Sequence, residues 1–121
     1  MLIKNYGFIQ ISNEKIIKIN FNNILYIKRL GCAKTAIYFD NEKRLICKVT
    51  SIRFRAKLPI HFERVSNALI VNMDHVNFVN LTLNTIQISN KNSIYLNNEY
   101  KVNIEKYFMK TNKAQNNRCF F

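Results

Sequence analysis

The chain reads as a mostly β, antiparallel protein with two short helices, on three observations. Apolar residues recur with a period of two rather than 3.6, β-branched and aromatic residues cluster in short runs, and Asn, Ser, Asp and Gly separate those runs. At 121 residues the chain is long enough to bury one independent core and too short for two.

Taken in order, the expected strands are Tyr6 to Ile11, Lys15 to Asn20, Ile24 to Arg29, Thr35 to Asp40 and Arg44 to Val49. After a break come Ala68 to Asn72, Val76 to Leu81, Thr85 to Ser89 and Ser93 to Leu96. The links are short enough for hairpins: Ser12-Asn13-Glu14, Asp40-Asn41-Glu42-Lys43, Leu83-Asn84 and Asn90-Lys91-Asn92. Asn tolerates positive φ and bonds its own backbone, so it replaces Gly in a chain that has only 2 glycines.

Two segments break the β pattern. Thr50 or Ser51 can cap a short helix through Lys57, which Leu58-Pro59 ends because a residue before proline is pushed out of the α region. A second helix is expected over Asn103 to Lys110, where Ile104, Tyr107 and Phe108 at i, i+3 and i+4 would dock on the sheet. The tail after Thr111 has no period and is expected to be disordered or to pack loosely.

A net charge of +12 favours polyanions, nucleic acid first. The Arg53, Arg55, Lys57 cluster is either a solvated basic face or a backbone-steering one. Cys32, Cys47 and Cys119 form no CxxC pair, which fits a reducing cytoplasm. Cys47 reads as a core residue, and Cys32 as either an inert loop thiol or a redox-sensitive one beside Lys34. With neither a signal peptide nor an apolar run of about 20 residues, the expected location is cytoplasmic, without membrane association.

Catalysis is not expected. The seven acids, Glu14, Asp40, Glu42, Glu63, Asp74, Glu99 and Glu105, offer no convincing acid–base pair. Asp74 and His75 are neighbours, whose side chains on a strand point to opposite faces. Phosphate loop, nucleophile elbow and metal-ligand spacing are all missing. No cofactor, metal or small-molecule substrate is expected.

Two stretches carry a family resemblance. PIHFERVSNALIVNMDHV, from Pro59 to Val76, holds Phe62-x-Arg64, a five-residue gap and Ile70-Val71-Asn72. INFNNILYIKRLGCAKTAIYFDN holds Ile19-x-Phe21-x-x-Ile24-x-Tyr26-Ile27, a loop and a further strand. In this order they resemble the LytTR family of bacterial DNA-binding domains, over roughly Lys15 to Lys110. The resemblance implies an elongated antiparallel multi-sheet fold with small flanking helices, whose loops enter successive major grooves on one face of duplex DNA. It implies a stand-alone transcription regulator without a receiver domain, two copies binding a promoter direct repeat. The expected divisions are an N-terminal strand or extension at 1–14, the DNA-binding domain at 15–110 and a tail at 111–121.

Three contact regions follow from the resemblance. The loop Leu30 to Lys34 would contribute Lys34, with Ala33 where relatives often carry His. The corner after Phe62 would contribute Arg64, Ser66 and Asn67, Ser66 standing at a frequent His position. Arg64 could instead form a salt bridge with Glu63 or Asp74, and Asn72 reads as a structural residue at a strand end. The start of the last helix would contribute Lys101, Asn103 and Lys106, with Ile104 or Glu105 at an expected Arg. Arg29, His61, Arg53 and Arg55 would add weaker backbone contacts. By residue type, Arg and Asn can read base edges, whereas Lys on phosphate adds affinity alone. Two other readings remain: a basic β module that stacks RNA or single-stranded bases on Tyr6, Tyr26 or Tyr38, and a partner-binding regulator with weakened DNA contacts.

Overall fold

The computed structural model describes residues 5–12, 14–48, 57–89 and 92–114. Strands β1 (Tyr6–Ser12) and β2 (Lys15–Asn20) form a hairpin, and a 3-10 turn, Phe21–Asn23, leads into β3 (Ile24–Gly31), β4 (Lys34–Phe39) and β5 (Arg44–Cys47). Next come β6 (Phe62–Ser66), β7 (Leu69–Asn72), the 3-10 turn Met73–His75, β8 (Val76–Asn80), β9 (Thr85–Ile88) and β10 (Ser93–Tyr95). A last 3-10 turn, Asn98–Tyr100, runs straight into helix α1 (Lys101–Ala114). The strands build three antiparallel sheets, in the orders β1-β2, β5-β4-β3-β7-β6 and β10-β9-β8.

All the expected strands form, their described ends within two residues of expectation. Strand β6 was not expected, because each face of this short strand buries one residue, Phe62 on one side and Val65 on the other, so no apolar alternation marks it, and a bulge between Arg64 and Ser66 interrupts its pairing. Helix α1 starts earlier and ends later than Asn103 to Lys110, since the 3-10 turn capped by Asn97 Oδ1 supplies its first turn. Ile104 is buried and Tyr107 packs beside it, while Phe108 is more exposed than expected. The expected helix over Thr50 or Ser51 to Lys57 lies outside the described residues, except Lys57.

The central sheet is covered on both faces. Ile27, Ile37, Phe62 and Ile70 join Ile9, Ile19 and Phe21 under the β1-β2 hairpin. Leu25, Val65 and Val71 join Ile86, Ile88, Leu96 and Ile104 beneath the third sheet and α1. Neighbouring Ile24 and Leu25 serve the two different cores as alternation requires, and a bulge in β3 between Ile24 and Tyr26 lets Tyr26 join Leu25 against the second.

The chain uses one joint twice. Asn20 ends β2, its Oδ1 accepting from Asn22 N, and a 3-10 turn with a buried first residue, Phe21, enters β3. Asn72 ends β7 in the same way, with Oδ1 on Asp74 N and Met73 buried, before β8. The joints also bond each other. Asn72 Nδ2 donates to the carbonyls of Ile24 (2.9 Å) and Phe21 (3.4 Å), and His75 Nε2 lies 2.7 Å from the Asn22 carbonyl oxygen.

Candidate nucleic-acid interface

Strand register decides which predicted contacts meet. Arg29 pairs with Thr35, Gly31 with Lys34 and Thr35 with Cys47, while Ser66 pairs with Leu69 and Arg29 N donates to Ala68 O at 2.7 Å. The β3–β4 hairpin tip, the end of β5 and the β6–β7 turn therefore share one end of the central sheet. The two turns stand about two strand spacings apart, roughly 10 Å.

At the tip, two residues replace the expected five-residue loop. Cys32 and Ala33 both take positive φ, 52° and 60°, after Gly31 at 92°, so the hairpin closes through the left-handed turn that matches strand twist. Cys32, Ala33 and Lys34 are exposed, and Lys34 opens β4 at the extremity of the sheet.

The β6–β7 turn is braced from two sides. Arg64 Nη1 donates to the carbonyls of Asn67 at 2.8 Å and Ser66 at 3.3 Å, so its guanidinium holds the turn's backbone. Ser66 Oγ accepts from Ala68 N at 3.2 Å, a local cap of the kind Ser supplies in turns. Asn67 is exposed, and its Oδ1 accepts from the Tyr100 hydroxyl at 2.8 Å. Thus Arg64 and Ser66 spend hydrogen bonds inside the turn, and Asn67 presents its side chain outward.

The Tyr100 bond joins the second region to the third, since Tyr100 immediately precedes Lys101 and α1. A backbone bond from Asn97 N to Val65 O at 3.0 Å pins the same approach. Lys101 and Asn103 are half-buried and Lys106 is exposed on α1. Sequence reasoning missed Tyr100; its signal was the Asn97-Asn98-Glu99 capping sequence, which fixes where the helix begins.

Other predicted contacts fall elsewhere. His61 precedes β6 and lies at the opposite end of the sheet from Asn67, its Nε2 3.5 Å from Asp74 Oδ2. Arg29 is exposed beside the β6–β7 turn. Arg53 and Arg55 lie outside the described residues. Lys28 and Lys48, not singled out from sequence, are exposed at the tip end. Asp40, Glu42 and Asp74 occupy the other end, in the β4–β5 turn and after β7, offset in part by Lys43 and Arg44. One end of the sheet is thus strongly cationic and the other nearly balanced.

The sequence profile of the LytTr DNA-binding domain matches residues 14–114. The chain belongs to the LytTR family. Among solved structures, this LytTR domain is similar to the LytTr DNA-binding domain of a methyl-accepting/DNA response regulator from Bacillus cereus. The TM-score is 0.69 at 20% identity, over 87% of this chain and 97% of that one. That identity speaks for the shared fold. No curated protein matches the sequence significantly. Membership makes DNA the binding partner and transcription regulation the role.

Stacking platforms for single strands fit this LytTR domain less well. Tyr26 and Tyr38 stack on each other, centroids 4.6 Å apart, and Tyr26 packs against the second core. Its phenol is pushed up from the ordinary value by burial and by the neighbouring Tyr38. Tyr6 has Lys18 Nζ over its ring at 4.3 Å. Among the described residues no three His, Cys, Asp or Glu side chains group as metal ligands, and no helix is long and apolar enough to cross a membrane.

Proposed function

We propose that this LytTR domain recognises duplex DNA by sequence, two copies reading a promoter direct repeat from one face of the helix. The tip at Lys34, the turn at Asn67 and the start of α1 would face the duplex together. The observation that carries this reading is the Tyr100–Asn67 hydrogen bond, which couples the turn to the helix start beside the basic tip. Lys34, Lys101 and Lys106 would neutralise phosphates, Arg29 adding a weaker backbone contact, while Asn67 and Asn103 supply amides for base edges. Arg64 and Ser66 would shape the turn that carries Asn67. The binding unit is residues 15–110, with β1 completing its core, and it acts in the cytoplasm as a non-enzymatic regulator.

The test is a fluorescence-anisotropy titration against a random duplex pool, single-stranded DNA and structured RNA at several salt concentrations, with selection of bound duplexes. Selected duplexes should share a direct repeat about one helical turn apart, with a log–log salt slope of about −0.9 per neutralised phosphate. Equal binding to all polyanions, or preference for RNA or single strands, overturns the promoter reading.

A further inference from the structure

Asn67 has both its backbone and its side chain held by other residues of the candidate site. Arg64 Nη1 grips its carbonyl at 2.8 Å and the Tyr100 hydroxyl donates to Oδ1 at 2.8 Å, yet the residue is exposed. An exposed Asn ordinarily samples several rotamers, and ordering such a side chain on binding costs roughly 0.5–1.5 kcal/mol.

We propose that Tyr100 is a specificity-positioning residue: its hydroxyl holds the Asn67 amide in one orientation and presents Nδ2 to the duplex as a hydrogen-bond donor. The proposal rests on the reading of Asn67 as a base-edge contact. With one Oδ1 lone pair engaged by Tyr100, the amide offers two N–H donors and a single acceptor position. The partner it fits is a base-edge acceptor, such as a purine N7 in the major groove or a purine N3 or pyrimidine O2 in the minor groove. Bidentate adenine recognition would need Oδ1 to serve Tyr100 and the adenine amino group together. Tyr100 also sits where the last 3-10 turn becomes α1, so the orientation of Asn67 and the placement of Lys101 depend on the same short segment.

The test is a double-mutant cycle on the full chain: wild type, Tyr100→Phe, Asn67→Ala and the double variant, each titrated against the duplex selected by the wild type and an unrelated duplex. Tyr100→Phe should weaken the selected duplex about fivefold, the size expected for one uncharged hydrogen bond. It should leave the unrelated duplex unchanged and cost nothing further once Asn67 is Ala. A DNA-independent readout is the Asn67 side-chain amide pair in the NMR spectrum of the unbound protein. Two resolved resonances should collapse to random-coil positions in Tyr100→Phe while the backbone spectrum stays folded. A Tyr100→Phe loss that persists in the Asn67→Ala background, or an amide pair that Tyr100→Phe does not move, overturns the positioning role. If Asn67→Ala costs nothing on the selected duplex, Asn67 is not a reader and the positioning role falls with it. If no duplex is selected at all, the promoter reading is what fails, and the amide resonances alone decide whether Tyr100 orients Asn67.

Discussion

Asn72 donates from Nδ2 to the carbonyl oxygen of Ile24 at 2.9 Å, across 48 residues of chain. The side chain is fully buried and also serves Phe21 O and Asp74 N. Removing it takes this partner from the buried Ile24 carbonyl and the part-buried Asp74 N–H, while Phe21 O keeps its bond from Ile24 N. Asn72→Ala should lower stability by about 3 kcal/mol or more, since each buried polar group left unpaired costs roughly 1–3 kcal/mol. Urea denaturation followed by circular dichroism measures it; a loss under about 1 kcal/mol would mean that water replaces the amide at little cost.

The hairpin tip carries backbone strain that two substitutions should relieve. Cys32 and Ala33 hold left-handed conformations that Asn and Gly adopt far more readily. The pair Cys32→Asn and Ala33→Gly should therefore raise stability by about 1–2 kcal/mol. Thermal melting of the double variant checks this, and an unchanged or lower melting temperature would contradict the turn geometry.

Arg64 and Lys34 should respond to alanine in different ways. Because Arg64 bonds two carbonyls of its own turn, Arg64→Ala should cost stability, by about 1–3 kcal/mol, and loosen Asn67. Lys34→Ala should leave stability within about 0.5 kcal/mol, weaken every duplex alike and reduce the salt slope by about 0.9. Melting curves paired with salt titrations separate the two. Equal stability for both variants would show that the Arg64 bonds are not needed to hold the turn.

Tyr26 predicts an alkaline limit. Burial raises its pKa above the ordinary 10.0, so the unfolded chain releases this proton first as pH climbs. Its contribution is fully present below about pH 10 and is lost as pH rises through the folded value. Tyr26→Phe should flatten the stability profile above about pH 10 relative to wild type. Denaturant midpoints between about pH 8 and 11 would reveal it, and parallel profiles would show that Tyr26 ionises alike in both states.

The strands were legible because their signals are local, an apolar alternation in Thr85–Ile88 and a continuous β-branched and aromatic run in Thr35–Phe39. Alternation gave no signal at β6, where Phe62 and Val65 go to opposite cores and each face shows a single buried residue, and there a strand was read as a corner. The structural role of Asn72 was visible in its place at a strand end, although its partners at Phe21 and Ile24 are remote and only the folded joints bring them near. At the candidate site, the resemblance and the residue types proposed Lys34 and Asn67 as contacts. The bonds that hold the Asn67 turn were hidden: Arg64 bonds two carbonyls of its own turn, and Tyr100 is 33 residues from Asn67. Register also separated His61 from the rest, a consequence of strand direction that composition does not encode.

The uneven placement of charge along the central sheet has a kinetic consequence. Among the described residues, Lys28, Arg29, Lys34 and Lys48 stand at one extremity, and Asp40, Glu42 and Asp74 offset Lys43 and Arg44 at the other, so the central sheet is more positive at its tip end. In the field of a polyanion such a sheet would be turned before contact, which would enrich tip-first arrivals. Orientation normally removes most encounters from the productive fraction. A domain aligned in flight needs fewer attempts per docking, an advantage that fades as added salt shortens the range of the field.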